Sequence, residues 1–235
     1  MDQSNKYIAE IRQVREVALH GSADLSYWSE RLTGEGFSPV AQQNKAQILV
    51  TGVAAKWMGV AFCELSIGVL VRAEWNGGHE DGILLLHAFN SSRLFAFCER
   101  RCFQTPYVHS DVRLHADLPV SIEARTKDRP LLTAEMQNNA QREPMGSAHE
   151  SWEGPIFLPR RSSQGRERHR LFWAKLEGVT ATFRFTAPDT AHFYPDQAHP
   201  ALGWLADSGF TGERWTVRQA ATHARSKTLT KKSDG

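Results

Sequence analysis

The stretch that decides the fold reads GILLLHAFNSSRLFAFCERRCFQTPYVHSDV and spans residues 82–112. It opens on an apolar run, Gly82–Phe89, which predicts a buried strand. Asn90-Ser91-Ser92 follows, and side chains of this kind accept hydrogen bonds from the first backbone N–H groups of a helix. That helix is expected to end at Thr105-Pro106, because the residue before a proline avoids the helical region. Polar and apolar residues then alternate, which predicts another strand at Val108–His115.

Strands are predicted on both sides of this stretch. Apolar and β-branched runs bounded by turn residues lie at Gln47–Lys56, Val60–Arg72, Val120–Arg125, Leu131–Met136, Ile156–Leu158, Leu171–Glu177, Val179–Thr186 and Trp215–Thr222. Apolar residues at helical spacing predict N-terminal helices at Ser4–His20 and Asp24–Gly34. We therefore expect an α+β fold, a mainly antiparallel β barrel around one central helix, with short N-terminal helices.

Composition places the chain among ordinary globular proteins. Its 235 residues carry 28 basic and 26 acidic side chains and a formal charge of +2, so no global charge draws it to nucleic acid or to a membrane. No apolar run reaches the roughly 18–20 residues that cross a bilayer. The N-terminus has no apolar signal-peptide core. The chain has three cysteines, and this odd count favours reduced thiols in a reducing compartment. We expect a cytoplasmic protein.

The expected domain organisation has three parts. A helical appendage covers residues 1–34, the barrel covers residues 35–224, and a basic, frayed tail covers residues 225–235. One dense basic run, Arg160–Arg170, could contact phosphates and makes a nucleic-acid-binding barrel a third hypothesis. The run has no interleaved aromatic residues, so a solvated loop is favoured and no nucleic-acid partner is expected.

Three segments together resemble the acetoacetate decarboxylase-like superfamily. They are Phe62-Cys63-Glu64-Leu65-Ser66, then Gly82–Phe89 with Asn90-Ser91-Ser92-Arg93, then Phe95–Arg100 running into Thr105-Pro106-Tyr107-Val108-His109. The sequence looks most similar to branches that carry a Pro-Tyr-x-His pattern after the helix. The resemblance implies a β cone or barrel that holds a small-molecule cavity, and it allows a homo-oligomer.

The residue that forms the Schiff base in the decarboxylases is missing from its place in the motif. In that family a lysine just after the helix, in a Pro-Lys-Lys stretch, forms an imine with the substrate ketone. Here Tyr107 and Val108 follow Pro106, and neither can form an imine, so imine-based decarboxylation is not expected. Lys56 and Lys175 lie in strand-like runs and could supply another amine, although lysines on a wet strand face are the simpler alternative.

Glu64 is the first candidate catalytic residue. Strand alternation places Leu65 and its apolar i+2 neighbours on one face and Glu64 on the other, and the resemblance implies that this glutamate faces the cavity. A carboxylate in a partly apolar cavity has a raised pKa and can act as a general acid or base. The alternatives are a solvent-facing glutamate and a structural salt bridge to an arginine.

Tyr107 and His109 are the other candidate catalytic residues. Alternation places them on one strand face with Asp111, Arg113 and His115, and the resemblance aligns Tyr107 with the family's lysine. A phenol can hydrogen-bond a developing enolate and a histidine can carry a proton. An exposed polar face is the simpler alternative.

Two further residues are candidate substrate ligands. The resemblance favours Arg100 as a bidentate clamp for a carboxylate, whereas Glu99 and Arg101 are assigned to the solvated side of the helix. His87 ends an apolar strand and is either a ligand or a satisfied core histidine.

No metal and no cofactor are expected. His109 and His115 would lie roughly 20 Å apart along one strand, which is too far to share an ion. Cys98 and Cys102 supply only two ligands, whereas structural zinc takes four.

The sequence thus favours an enzyme acting on a small organic carbonyl or carboxylate compound. The expected chemistry is proton transfer of the lyase, cyclase or isomerase type. The alternative is a non-catalytic, small-ligand-binding barrel. No membrane partner is expected.

Overall fold

The computed structural model describes residues 7–75, 78–137, 142–160 and 168–232. Its strands are β1 (Tyr7–Asp24), β2 (Phe37–Pro39), β3 (Ala41–Gln42), β4 (Lys45–Trp57), β5 (Val60–Trp75), β6 (Gly78–Asn90), β7 (Tyr107–His109), β8 (Asp111–His115), β9 (Ser121–Arg125), β10 (Pro130–Glu135), β11 (Gly146–Leu158), β12 (Arg168–Arg184), β13 (Thr190–Phe193), β14 (Thr211–Ser226) and β15 (Leu229–Lys232). The helices are α1 (Leu25–Thr33), α2 (Arg93–Cys98) and α3 (Pro200–Asp207), and α2 continues into a π-helical turn, Glu99–Phe103.

The main sheet closes on itself. Its strand order is β2-β5-β4-β1-β14-β12-β11-β6-β7, and an additional pairing between β5 and β6, each one strand in from an end, closes the strands from β5 to β6 into a ring. The ring pairings are antiparallel except for β6–β11, and β6 also pairs in parallel with β7. A second sheet has the order β13-β10-β9-β8. The predicted α+β class with a mainly antiparallel sheet is confirmed, and α2 lies between β6 and β7 in the chain.

The predicted helix at Ser4–His20 is wrong from residue 7 onward, because this segment forms β1. That strand pairs with β14 on one side and with β4 on the other, so residues 7–24 belong to the ring and not to a helical appendage. Register shifts near Ile11, Val14 and Glu16 interrupt the pairing, and Gln13 adopts a left-handed conformation with φ 57°. These bulges break the period of two, and the apolar residues consequently mimic helical spacing.

The predicted second helix is confirmed as α1, where the Asp24 carboxylate accepts a hydrogen bond from the Tyr27 backbone N–H at 2.6 Å. The predicted frayed tail is wrong over residues 225–232, because β14 extends to Ser226 and β15 pairs with β12. Residues 233–235 lie outside the described part. The single strand β12 replaces the two strands predicted at Leu171–Glu177 and Val179–Thr186.

The strand predicted at Val108–His115 divides in two at Ser110. β7 stays with β6 in the ring, whereas β8 joins the second sheet beside β9. Ser110 fixes this division, since its backbone N–H donates to the Asn90 carbonyl at 3.1 Å and its hydroxyl donates to the Arg125 carbonyl at 2.6 Å. The polar residues on the two sides of Ser110 therefore belong to different sheets.

Apolar packing forms a large core and a smaller cluster. The large core joins the ring strands to the second sheet, α1 and α3, and its largest fully buried side chains include Trp28, Trp215 and Phe89. Leu65 and its apolar i+2 neighbours on β5 are buried in it, as alternation predicts. The smaller cluster consists of Leu85, Ala88, Leu158 and Phe172. Among the described residues no helix combines the length and apolarity needed to span a bilayer.

Candidate functional site

Three neighbouring strands bring Glu64, Asn90 and Tyr107 together. Glu64 of β5 stands directly opposite Asn90 of β6, and Tyr107 of β7 pairs with Ala88 of β6. One carboxylate oxygen of Glu64, Oε1, accepts a hydrogen bond from Asn90 Nδ2 at 2.7 Å, and Oε2 accepts one from the Tyr107 hydroxyl at 3.1 Å. Glu64 and Tyr107 keep partial solvent access, whereas Asn90 is fully buried.

The turn that starts α2 also orients Asn90. Its Oδ1 accepts a hydrogen bond from the Ser92 backbone N–H at 2.7 Å, which leaves the amide nitrogen directed at Glu64. Ser92 then caps α2 by accepting from the Phe95 backbone N–H at 3.4 Å. The capping segment predicted from the sequence therefore positions the carboxylate as well as the helix.

A partly buried ion pair lies next to this group. Arg225 Nη1 donates to both carboxylate oxygens of Glu99, at 2.6 and 2.8 Å, and the Thr105 hydroxyl donates to Glu99 at 2.9 Å. The guanidinium packs over the rings of Phe103 and Phe172, 4.4 and 4.1 Å from their centroids. Nε and Nη2 of Arg225 are buried and have no acceptor among the described residues.

The surroundings change the protonation of both candidate catalytic groups. Burial, reinforced by the negative charge of Glu99, raises the pKa of Glu64 to about 7, although the hydrogen bonds from Tyr107 and Asn90 oppose this shift. Burial and the charges of Glu64 and Glu99 raise the pKa of Tyr107 well above its usual value. Near neutral pH, Glu64 therefore exchanges readily between its two forms, whereas Tyr107 keeps its proton.

The structure places the five sequence-predicted site residues in different surroundings. Glu64 and Tyr107 are in contact, but His109 is exposed and lines a separate cleft. His87 is buried, and its Nε2 lies 3.1 Å from Nδ1 of His199. Arg100 is exposed, because the π-helical turn directs Glu99 rather than Arg100 toward the Glu64 group.

Sequence reasoning missed three members of the site. Glu99 was assigned to the solvated face of the helix, which is wrong: its side chain is only 16% exposed and is paired with Arg225. Arg225 was placed in the tail, and no local pattern points to it. Asn90 was interpreted only as part of a helix cap. The alternative of a salt bridge from Glu64 to an arginine does not describe its contacts, which are hydrogen bonds to an amide and a phenol.

The alternative lysines lie outside this group. Lys56 is exposed. The Lys175 ammonium pairs with Glu177 at 3.0 Å, and its side chain is 39% exposed; this hydrogen bond raises the pKa of Lys175, which disfavours the free amine. Within the described ranges, no three His, Cys, Asp or Glu side chains are grouped to hold a metal ion.

The basic run is only partly described, since residues 161–167 lie outside the described ranges. Arg170 is buried, and it donates to the Pro159 carbonyl at 2.8 Å and to the Gln104 carbonyl at 3.0 Å. Arg160 donates from its backbone N–H to Glu35 at 2.7 Å. The flanking arginines thus contribute to packing.

Solved structures share this architecture. An acetoacetate decarboxylase from Legionella pneumophila subsp. pneumophila str. Philadelphia 1 superposes with a TM-score of 0.64 at 10% identity, covering 97% of this chain and 89% of that chain. Another acetoacetate decarboxylase gives 0.64 at 12% identity, with coverage of 95% and 89%. The enduracididine biosynthesis enzyme MppR, complexed with the condensation product of pyruvate and imidazole 4-carboxaldehyde, gives 0.62 at 10% identity, with coverage of 96% and 90%.

No family model and no curated protein matches the sequence. The structural similarity extends over nearly the whole chain, and the chain therefore has the acetoacetate decarboxylase-like fold. The predicted resemblance is confirmed at the level of the fold.

Replacing Glu99 with glutamine is expected to lower the pKa of Glu64. The substitution removes a negative charge that raises this pKa and leaves the Arg225 guanidinium, which lowers it, without its partner. We expect the Glu64 pKa to fall by at least about one unit, measured by NMR titration of side-chain-labelled glutamate. Glu135→Gln, on an exposed position of β10, is the matched control; an unchanged Glu64 titration in Glu99→Gln would contradict the assigned coupling.

Proposed function

We propose that the protein is a small-molecule enzyme that moves a proton on a carbonyl or carboxylate compound without forming an imine. The observation that carries the proposal is the contact of Glu64, a carboxylate with a pKa of about 7, with the protonated phenol of Tyr107. An acid–base group is most effective when its pKa lies near the working pH. The reaction class is that of a lyase, cyclase or isomerase.

Each group has one role in this proposal. The Glu64 carboxylate removes a proton from the carbon next to the substrate carbonyl, and the C–H electron pair passes into an enolate. Tyr107 exchanges its hydrogen bond with Glu64 for one to the enolate oxygen, where charge develops. Asn90 holds the Glu64 carboxylate in place through its 2.7 Å hydrogen bond. The proton then returns from Glu64 to the product, which leaves the enzyme unchanged.

Arg225 replaces Arg100 as the proposed substrate ligand. Its Nε and Nη2 have no acceptor among the described residues, and a buried guanidinium donor without an acceptor is costly. A substrate carboxylate would satisfy these donors through a charge-assisted hydrogen bond. The compound bound to MppR is a condensation product of pyruvate, and this supports an oxo acid as the substrate class.

Two features support chemistry without an imine. Tyr107 occupies the position that the resemblance gives to the Schiff-base lysine. Lys56 and Lys175, the only alternatives that the sequence suggested, are exposed or paired outside the Glu64 group.

Proton exchange tests the proposal directly. The full-length protein is incubated in D₂O with pyruvate, acetoacetate or 2-oxoglutarate, and replacement of carbon-bound hydrogen is followed by ¹H NMR. We expect catalysed exchange for at least one oxo acid, with a rate that rises with pH through about 7 as Glu64 loses its proton. Intact mass after borohydride treatment should show no adduct. A borohydride-trapped adduct would contradict the imine-free mechanism, and binding without exchange would contradict catalysis and favour a ligand-binding protein.

A further inference from the structure

A cleft of about 620 Å³ is lined by residues other than those of the Glu64 group. It is bordered by the end of β7, the start of α2, β8, the turn after β9 and the residue before α3. Six of the side chains that line it are basic, counting two histidines: Arg93, His109, Arg113, Arg125, Lys127 and His199. None of Glu64, Asn90 and Tyr107 lines it, so the cleft is separate from the Glu64 group. Its volume falls within the range of about 300–1,000 Å³ that is typical of small-molecule sites.

The lining is strongly cationic. It carries four arginine or lysine side chains and one carboxylate, Asp111. Arg113 pairs with Asp111 at 2.9 Å, and Arg125 pairs with Glu123 at 3.0 Å. Arg93 and Lys127 make no hydrogen bond and no ion pair within the described residues, and both are exposed. Two positive charges in this cleft are therefore left without a paired carboxylate from the part of the chain that the structure describes.

Two histidines add donors to the same cleft. His109 is exposed at its edge, and His199 is partly buried. Nδ1 of His199 is engaged with His87 at 3.1 Å, so the Nε2 atom remains for a ligand. Burial lowers the pKa of His87 to about 4, which keeps His87 neutral at physiological pH. When His87 donates the shared proton, His199 presents Nε2–H, and an anion in the cleft would favour this tautomer.

We propose that this cleft binds a small organic anion with at least two negative charges, a phosphate ester or a polycarboxylate. Arg93 and Lys127 contact the two charges, and the His109 and His199 rings donate further hydrogen bonds. The requirement for two charges follows from these two cations, which pair with no carboxylate among the described residues. Phosphates and carboxylates share this chemistry, since both accept charge-assisted hydrogen bonds from arginine and lysine.

Calorimetric titration with two probes tests the site. Inorganic pyrophosphate represents phosphate compounds and citrate represents polycarboxylates, each titrated into the full-length protein at low ionic strength. We expect saturable binding of at least one probe. The double variant Arg93→Gln/Lys127→Gln should weaken it at least about tenfold, because each substitution removes a charged contact. Tighter binding of pyrophosphate would identify phosphate compounds as the ligand source, and tighter binding of citrate would identify polycarboxylates.

The matched control removes one arginine and one lysine elsewhere. Lys45→Gln/Arg101→Gln alters two exposed cations outside the cleft and lowers the net charge of the protein equally, so it should change affinity less than about twofold. Absence of saturable binding to the wild type, or an equal loss in both double variants, would overturn the proposal. All four residues are exposed, so neither double variant should change the melting temperature.

Discussion

Replacing Glu64 with glutamine should reduce the catalysed hydrogen–deuterium exchange at least about a hundredfold, because positioned acid–base groups contribute roughly 10²–10⁴ in rate. Glutamine keeps the size of the side chain and one oxygen that can accept from Asn90, and its amide NH₂ can donate to the Tyr107 hydroxyl oxygen, but it cannot take up a proton. Binding of the exchanging oxo acid, measured by calorimetry, should remain within about threefold, since Arg225 supplies the proposed carboxylate contact.

The pH dependence of the free energy of unfolding tests whether Glu64 has a raised pKa in the folded protein. Burial raises the Glu64 pKa from its usual 4.5 to about 7, so the folded protein binds this proton more tightly than the unfolded chain does. Stability therefore falls as pH rises from about 4.5 to 7. Glu64→Gln should lack this decline and match or exceed wild-type stability at pH 8.

Two results would contradict the role of Glu64, and a third would call for a second variant. Retained exchange in Glu64→Gln would exclude it as the acid–base group. Equal loss in Glu135→Gln, the exposed control on β10, would show that the effect is not specific. A lowered melting temperature at pH 8 would show that glutamine disturbs the site through packing, in which case Tyr107→Phe provides the second test, because it removes the proposed enolate donor and leaves the carboxylate.

Local sequence patterns predict the strands around Glu64 and the helix that follows, because each depends on interactions within a few residues. The apolar alternation of β5, the buried run of β6 and the Ser92 cap are confirmed as predicted. β1 is different. Its bulges at Ile11–Glu16 hide the strand period, and its pairing partners lie on β4 and β14, far away in the sequence. Tertiary pairing therefore determines its structure, against the local pattern.

The candidate site divides in the same way. Glu64 and Tyr107 could be predicted from strand alternation together with the family resemblance. The Glu99–Arg225 pair could not, because it joins residues 126 positions apart and depends on a π-helical turn that no sequence period indicates. His109 lies two residues from Tyr107, but it lines the cleft of Arg93 and Lys127 together with Asp111 of β8. One short strand thus contributes to two sites.

Replacing Asp189 with alanine should cost about 3–5 kcal/mol of unfolding free energy, since removal of one partner from a buried ion pair has effects of this size. Asp189 is 5% exposed. Its carboxylate accepts two hydrogen bonds from Arg142, at 2.7 Å each, and one from the Trp215 indole N–H at 3.2 Å. It also accepts from the backbone N–H groups of Gln137 and Thr186, at 3.0 and 2.9 Å.

These contacts explain why the loss should be large. Gln137 follows β10 of the second sheet, Thr186 follows β12 of the ring, and Trp215 lies on β14. One carboxylate therefore joins the two sheets, and alanine would leave a buried indole donor, two backbone donors and a guanidinium without their acceptor. Asparagine keeps one carbonyl oxygen as an acceptor, and Asp189→Asn should accordingly lose less than Asp189→Ala.

Urea unfolding at several pH values measures the effect and its origin. Although burial alone would raise the Asp189 pKa, the hydrogen bonds from Arg142, Thr186, Gln137 and Trp215 hold it below the usual value. A depressed folded-state pKa means that this stabilisation is complete above the unfolded pKa of about 3.9 and is lost as pH falls through the folded value. The free energies of unfolding of the wild type and of Asp189→Ala should therefore differ by the full amount at pH 7 and become similar at acidic pH. The control is Asp207→Ala, which removes an exposed aspartate at the end of α3 and should change the free energy of unfolding by less than about 0.5 kcal/mol. A similarly small change in Asp189→Ala would mean that the two sheets are held together without the Asp189 carboxylate.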